Sequence, residues 1–142
     1  MKMLIRLFIG LCVTAWVASA SAELPSVAFV IGKQQFKPGD SIVIDQVLAT
    51  SPKLNVGDKV VVRGHYQLAS APKAKLGLFI THRTTADAGN TAKTQMTPAD
   101  SVSGSFELSC DISYEGDVHV SFYPVSGGEA FGGVYFTTSP KS

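Results

Sequence analysis

The stretch that decides the fold is residues 104–123, which read GSFELSCDISYEGDVHVSFY. Every second residue of its first half is apolar, and the same alternation returns after the glycine near its middle. The apolar positions are Phe106, Leu108, Cys110 and Ile112, followed by Val118, Val120 and Phe122. A period of two places such side chains on one face of a β-strand. The stretch therefore predicts two half-buried strands joined by a turn.

The same alternation extends outward from this hairpin to the rest of the chain. It recurs in residues 27–31, 42–48, 60–68 and 76–80, and residues 131–137 predict a further strand because they are rich in aromatic and β-branched residues. Outside the first 22 residues no window has a helical period. Seven such strands in residues 23–142 predict an all-β fold, with two antiparallel sheets packed face to face as a β-sandwich.

Turn signals separate the predicted strands. The sequence Lys37-Pro38-Gly39-Asp40 is typical of a turn, because proline fixes φ and glycine accepts a positive φ. A Gly-Asp pair precedes a strand at 39–40 and again at 57–58 and 116–117. The spacing of these pairs is irregular, so we interpret them as repeated turn chemistry rather than as an internal repeat.

Two pieces of the opening stretch, GSFEL at 104–108 and YEGDVHV at 114–120, resemble a hairpin of bacterial immunoglobulin-like and fibronectin-III-like domains. The resemblance covers 104–123 closely and the strand layout of 27–137 loosely. It implies an immunoglobulin-like sandwich with an adhesive, spacer or ligand-binding role. The chain departs from antibody-type domains in lacking their cysteine pair and core tryptophan after residue 22, and the resemblance transfers no functional residue.

The first 22 residues predict a cleaved signal peptide. Lys2 and Arg6 supply a positive start, residues 7–18 are mostly apolar, and Ala20-Ser21-Ala22 provides the small residues that a signal peptidase recognises. The apolar run is shorter than the about 20 residues that span a membrane. We therefore expect cleavage before Glu23, export to the periplasm or the extracellular space, and a single domain at 23–142 without a membrane span.

Composition and motifs narrow the function classes. The formal net charge of +1 disfavours a nucleic-acid binder, which needs a basic face to neutralise phosphates. The sequence has no Gly-x-Ser-x-Gly elbow and no Gly-x-x-x-x-Gly-Lys loop, which are typical of serine hydrolases and of phosphate-binding enzymes. We therefore predict a non-catalytic protein without a cofactor, whose role is binding or structural.

Residues 121–136 are the most distinctive part of the sequence, because four glycines and a proline surround five aromatic residues. On one interpretation the glycines permit bulges and the aromatics fill the core. On the other, Tyr123, Phe131 and Tyr135, with Glu129 beside them, present a ligand site at one end of the sandwich, and the partner binds through the loop at 123–133. A polar stretch at 86–101 is either a second candidate loop or contains a short edge strand around Thr94–Met96. The expected partner is a protein or a surface polymer.

Two further side-chain types leave alternatives open. His65 and His119 lie on the polar faces of their predicted strands, and with His82 they could bind copper or zinc if the strands are neighbours. No local ligand spacing such as His-x-His supports this hypothesis. Cys110 is the one cysteine after residue 22; it is either a buried small hydrophobe or a thiol that pairs between chains.

Overall fold

The computed structural model describes residues 23–82 and 96–138, and every regular element in these ranges is a β-strand. The strands are β1 (Ser26–Val27), β2 (Val30–Gln35), β3 (Ser41–Ala49), β4 (Lys59–Gln67), β5 (Ala74–His82), β6 (Met96–Ala99), β7 (Ser103–Asp111), β8 (Gly116–Tyr123) and β9 (Gly132–Thr137). Within these ranges, no helix is long and apolar enough to cross a membrane.

The strands form two antiparallel sheets. Sheet 1 has the order β1-β3-β4-β7, and sheet 2 has the order β2-β9-β8-β5-β6. The chain changes sheets between β4 and β5, and it does so again on either side of β7. The predicted all-β sandwich of two antiparallel sheets is therefore confirmed. Residues 83–95, which include most of the predicted loop at 86–101, lie outside the described residues, as does the predicted signal peptide. In the described part of that stretch, Met96–Ala99 is not a loop but β6, at an edge of sheet 2.

The first predicted strand, at 27–31, divides between the two sheets. Val27 pairs with β3 in sheet 1, whereas Ile31 pairs with β9 in sheet 2. Phe29 lies between these pairings, and its ring packs edge-on against Phe136, with the centroids 6.4 Å apart. The Phe29 side chain thus packs against sheet 2 at the point where the chain crosses from one sheet to the other.

The core lies between the sheets and is built from the alternating residues that the sequence singles out. Sheet 1 contributes the inward residues of β3, β4 and β7, and sheet 2 contributes those of β5, β8 and β9. The largest fully buried side chains are Phe122, Leu68, Leu76, Leu78, Leu108, Val47, Val60, Val62, Val120 and Val134. The inward faces predicted for 60–68, 76–80, 106–112 and 118–122 are confirmed.

A β-bulge reverses the alternation inside β3. The pairing with β4 shifts between Ile44 and Gln46, so that both Asp45 and Gln46 lie opposite the same part of β4. An extra residue in one strand switches the faces of all residues beyond it. As a result Ile44 and Val47 both enter the core, although they have opposite parity in the sequence.

Two of the three Gly-Asp pairs do form turns of the same chemistry. Gly39 has φ +83° and Gly57 has φ +97°, values that favour glycine. In each turn the aspartate carboxylate then accepts hydrogen bonds from backbone amides: Asp40 from Ala69 and Ser70, and Asp58 from Asn55. Gly116 differs, because a side chain there would strike the Thr81 carbonyl oxygen, so that this glycine permits close strand approach instead.

The Cys110 thiol lies in the core between the sheets, 3% exposed. Burial, with a smaller effect of the neighbouring Asp111 carboxylate, raises the pKa of this thiol to about 12. The thiol is therefore protonated and unreactive at neutral pH, because the nucleophile is the thiolate. This placement fits the small-hydrophobe alternative for Cys110.

We expect Cys110 to resist alkylation by a thiol reagent in the native protein and to react fully once urea unfolds the chain. The measurement is mass spectrometry after a short exposure to iodoacetamide, with and without urea. A Ser109→Cys variant is the matched control, because position 109 faces outward on the same strand. Equal labelling of Cys110 in both conditions would contradict the buried placement.

Candidate binding face

The outward side of sheet 2 carries a cluster of rings where polar side chains normally lie. It consists of Phe79 on β5, His119 and Tyr123 on β8, and Tyr135 on β9, which together are called the aromatic face below. Each of these residues alternates with core residues, so each points away from the core. The face is therefore separate from the core, on the opposite side of the same three strands.

Strand register sets the rings side by side. Phe79 is the pairing partner of His119, and His119 is the partner of Tyr135. The ring centroids are 6.3 Å apart in the first pair and 4.8 Å apart in the second. Tyr123 meets Phe79 at a centroid distance of 5.0 Å. Cross-strand aromatic pairs of this kind stabilise a sheet and hold their rings in fixed positions.

A row of small residues lies beside the rings and gives them room. Ser121 pairs with Gly77 on one side and with Gly133 on the other. A side chain at Gly77 would collide with the Phe79 ring, and one at Gly133 would collide with the Ser121 hydroxyl. The two glycines are thus required by the packing of the face, because their neighbours occupy the space that a Cβ would take.

The imidazole of His119 lies at the centre of the aromatic face, between the rings of Phe79 and Tyr135. It is 8% exposed, and its Nδ1 forms a 2.7 Å hydrogen bond with the Ser121 hydroxyl. Burial lowers the pKa of His119, because desolvation penalises the charged ring. The imidazole is therefore neutral at neutral pH, and the centre of the face carries no charge.

The two tyrosines add hydroxyl groups at the margin of the rings. Burial raises the pKa of Tyr123, and the nearby Tyr135 raises it further, while a hydrogen bond with the Ser121 hydroxyl acts in the opposite direction. Tyr135 reaches across β8, and its hydroxyl lies 3.3 Å from the Thr81 Oγ1 on β5. The face therefore offers apolar rings with hydrogen-bonding groups between and beside them.

The structure divides the four residues of the predicted loop site. Tyr123 and Tyr135 lie together on the aromatic face, at strand positions rather than in a loop. Phe131 instead stacks on Phe122, with the centroids 5.6 Å apart and the planes within 9°, and it packs against the core. Glu129 is exposed and follows Gly127 and Gly128, which both have positive φ. Tyr123 and Tyr135 are thus brought together, and Glu129 and Phe131 lie apart from them.

Phe79 and Ser121 belong to the face but were not candidate site residues in the sequence. The sequence pattern does point to Phe79. This large aromatic residue lies between the inward residues Leu78 and Ile80, so it belongs to the face that a sandwich strand normally exposes to solvent. His119 was a candidate metal ligand only. Its role in the face depends on Phe79 and Tyr135, which are distant in sequence.

The three candidate metal-binding histidines are not shown to converge. His65 points outward from sheet 1, where its Nδ1 lies 2.8 Å from the Asp45 carboxylate, and His119 points outward from sheet 2. These are opposite sides of the sandwich. His82 ends β5, and its side chain lies outside what the structure describes. Within residues 23–82 and 96–138, no group of three or more His, Cys, Asp or Glu residues could hold a metal ion.

The outward side of sheet 1 differs in character from the aromatic face. It has a shallow depression of about 530 Å³ with a mixed polar and apolar lining, formed by Ser41, Val43, His65, Tyr66, Gln67, Ser103, Gly104 and Ser105. Beside it, the Arg63 guanidinium lies 2.6 Å from the carboxylates of both Glu23 and Glu107. This side therefore carries paired charges together with the exposed side chain of Val43, and it faces solvent as the outward side of a sandwich usually does.

Comparisons of the chain with protein-family models, with curated proteins and with solved structures found no match. Among the described residues, the aromatic face is the best candidate for a functional site.

Proposed function

We propose that the protein is an exported, non-catalytic, immunoglobulin-like β-sandwich module that binds a partner protein or a surface polymer through the aromatic face. The observation that carries this proposal is the placement of Phe79, His119, Tyr123 and Tyr135 on an outward sheet face. Phe79, Tyr123 and Tyr135 are half-buried, so part of each ring remains at the surface, and apolar clusters at the surface are typical of interaction sites. Tyrosine is common at interaction sites because it combines an apolar ring with a hydroxyl group that forms hydrogen bonds.

The immunoglobulin-like assignment is supported by the order of the last seven strands. Sheet 1 contains β3-β4-β7, and sheet 2 contains β9-β8-β5-β6. Seven strands in two antiparallel sheets, with connections that repeatedly change sheets, are typical of immunoglobulin-like and fibronectin-III-like domains. β1 and β2 then add an N-terminal segment that touches both sheets. Domains of this architecture serve many functions, so the binding role rests on the face itself.

The outward faces of the two sheets differ in the chemistry of their side chains. Those of sheet 1 are paired with one another, Asp45 with His65 and Arg63 with Glu107, and form a charged surface. The aromatic face instead presents rings around a neutral imidazole. A partner that covers these rings gains apolar burial around an uncharged centre, which is the favourable case for an interface. The exposed Lys75, the pairing partner of Tyr123, adds one positive charge at the margin of the face.

Export is the part of the proposal that rests on residues 1–22. Lys2 and Arg6, the apolar run and the small residues before Glu23 support it. An exported binding module meets envelope or extracellular partners, which is why a protein or surface polymer is proposed as the ligand class.

We expect a Tyr123→Ala/Tyr135→Ala double variant to bind its partner about 30-fold more weakly, because central tyrosines typically carry much of an interface's binding energy. Binding is measured separately against purified cell-wall polymer and against the envelope proteins of the exporting host. Val43→Ala/His65→Ala is the matched control, since it shortens two outward side chains of sheet 1. Thermal unfolding of each variant reports whether the sandwich is intact.

The outcomes test two claims separately: that the aromatic face is the binding site, and that the protein has a binding role. Loss of binding in the tyrosine variant, with the control variant unchanged and both folded, supports the aromatic face. Equal weakening by both variants contradicts the choice of face. A native protein that binds neither the polymer nor any envelope protein contradicts the binding role.

A further inference from the structure

The aromatic face covers a side chain that can become charged. His119 is its most buried ring, 8% exposed, whereas Phe79, Tyr123 and Tyr135 are half-buried. The imidazole lies between the Phe79 ring, 6.3 Å away, and the Tyr135 ring, 4.8 Å away. Histidine is the residue whose charge ordinarily changes between about pH 5 and 8. The packing of the face therefore depends on a group that mild acid can protonate.

Tyr135 covers the imidazole from β9. Because β8 lies between β9 and β5, the tyrosine has to cross β8 to bring its hydroxyl to the Thr81 Oγ1, 3.3 Å away. That distance is long for a hydrogen bond between two hydroxyls, which is usually about 2.5–3.0 Å. The Thr81 side is also exposed to solvent. The cover over His119 is thus held at its far end by a weak contact.

The hydrogen bonding of the imidazole suits its neutral form. Nδ1 lies 2.7 Å from the Ser121 hydroxyl, which is itself buried, and among the described residues no other hydrogen bond reaches the ring. A neutral imidazole can donate from Nδ1 and leave Nε2 unprotonated, whereas an imidazolium carries an N–H on both nitrogens. In the closed face the second N–H would have no protein acceptor, which is costly for a buried, charged donor.

The groups around His119 do not compensate a positive charge. From β9 and from its own strand it meets the phenols of Tyr135 and Tyr123, which stay uncharged in acid. From β5 come an uncharged ring and, farther along the strand, the exposed ammonium group of Lys75. Asp117 is the acidic residue on the outward side of β8, and its exposure to solvent weakens its attraction for a buried charge. Burial is accordingly what lowers the pKa of His119.

We propose that His119 is a pH-sensitive switch of the aromatic face: protonation of the imidazole displaces Tyr135 from Thr81 and opens His119 to solvent. Acid thereby converts a closed, neutral ring cluster into an open one with a positive centre. The switch is a property of the free protein. Its consequence for a partner, which is release in mild acid, rests on the proposed function, because the partner would then have to desolvate a charge.

The test is an NMR titration of the free native protein from about pH 8 to about pH 4.5. We expect the pKa of His119 to lie below its ordinary value of 6.5. The nuclear Overhauser cross-peaks between the His119 and Tyr135 rings should disappear with the same midpoint. His119→Gln should abolish the pH dependence of the Tyr135 ring signals. His65→Gln is the matched control, because it removes an exposed imidazole from the other sheet and should leave that dependence unchanged.

Thr81→Val tests the cover itself. The variant keeps the shape of the side chain but lacks the hydroxyl, so it frees the far end of Tyr135. The pKa of His119 should then rise towards 6.5, since a more exposed imidazole is easier to charge. Thr137→Val is the matched control, because it removes an exposed outward hydroxyl from β9 and should leave the pKa of His119 unchanged. An unchanged pKa of His119 in Thr81→Val contradicts the assignment of Tyr135 as the cover.

Stability gives a second measurement of the switch. A histidine whose pKa is lower in the folded state stabilises the fold fully above the unfolded value of 6.5, and this stability falls as the pH drops towards the folded one. Urea unfolding of the native protein should therefore show a larger loss of stability over this range than that of His119→Gln. Measurements above pH 3.8 keep the Asp40 carboxylate charged.

Two results of the native titration overturn the proposal, even if a variant does not fold. One is a pKa of His119 at or above 6.5. The other is persistence of the cross-peaks with Tyr135 after His119 is charged, because the imidazolium then stays in the closed face. Binding to cell-wall polymer and to envelope proteins is measured separately at both ends of the pH range. Binding that is unaffected while the face opens contradicts the proposed binding site and leaves the switch standing.

Discussion

Replacing Phe122 by alanine is expected to lower the free energy of unfolding by about 3–5 kcal/mol, the usual cost of deleting a buried phenylalanine ring. Phe122 is fully buried, and three rings surround it. Its centroid lies 6.4 Å from Phe36, 6.1 Å from Tyr66 and 5.6 Å from Phe131. Tyr66 belongs to sheet 1, so the truncation opens a cavity between the sheets rather than at one margin.

The measurement is urea unfolding followed by circular dichroism. Phe79→Ala is the matched control, because it removes the same ring from the outward side of the same sheet, where the ring is only half-buried. Its loss of stability should be clearly smaller, since less apolar area returns to water. A Phe79→Ala loss as large as that of Phe122→Ala would mean that the aromatic face is a structural core rather than a surface for a partner.

Along β8, the inward residues are thus expected to contribute to stability and the outward residues to binding. Phe122 points inward, and its neighbours Ser121 and Tyr123 point outward. If the aromatic face binds a partner, Tyr123→Ala should reduce affinity more than stability, and Phe122→Leu should do the reverse. The two variants of β8 therefore distinguish residues that stabilise the fold from residues that bind the proposed partner.

The alternation in residues 104–123 is enough to predict the hairpin, because hydrophobic burial acts on every second residue of a strand. It is enough for the sandwich too, since the other segments follow the same rule. It does not predict the bulge at Asp45, which depends on how β3 fits β4, nor the division of 27–31 between β1 and β2. Both depend on pairing partners that are distant in sequence.

The candidate site is harder to predict for the same reason. Tyr123 and Tyr135 were candidates, but the sequence alone could not show that β5 lies beside β8 and supplies Phe79. Nor could it show that Phe131 turns to Phe122 and away from solvent. His65 and His119 have equivalent polar positions on their strands. They lie on opposite sides of the sandwich because β4 and β8 belong to different sheets.

Replacing Asp40 by alanine is expected to cost about 1.5–3 kcal/mol, because the change removes the charged acceptor of several hydrogen bonds. The Asp40 carboxylate, 7% exposed, accepts hydrogen bonds from the amides of Ala69 and Ser70 and from the Ser70 hydroxyl. These bonds tie the turn before β3 to the connection between β4 and β5. Asp58→Ala is the matched control, since Asp58 occupies the equivalent position in a less buried turn.

The contribution of Asp40 should also depend on pH. Burial on its own would raise the pKa of Asp40, but the Ser70 hydroxyl, the two amides and the nearby Lys37 hold it below its ordinary value of 3.8. A carboxyl group with a lower pKa in the folded state stabilises the fold fully above the unfolded value, and it loses this contribution as the pH falls through the folded one. The stability gap between the native protein and Asp40→Asn, measured by urea unfolding, should therefore be widest at neutral pH and narrow below pH 3.8. A gap that stays constant or widens on acidification would contradict a hydrogen-bonded carboxylate at this turn.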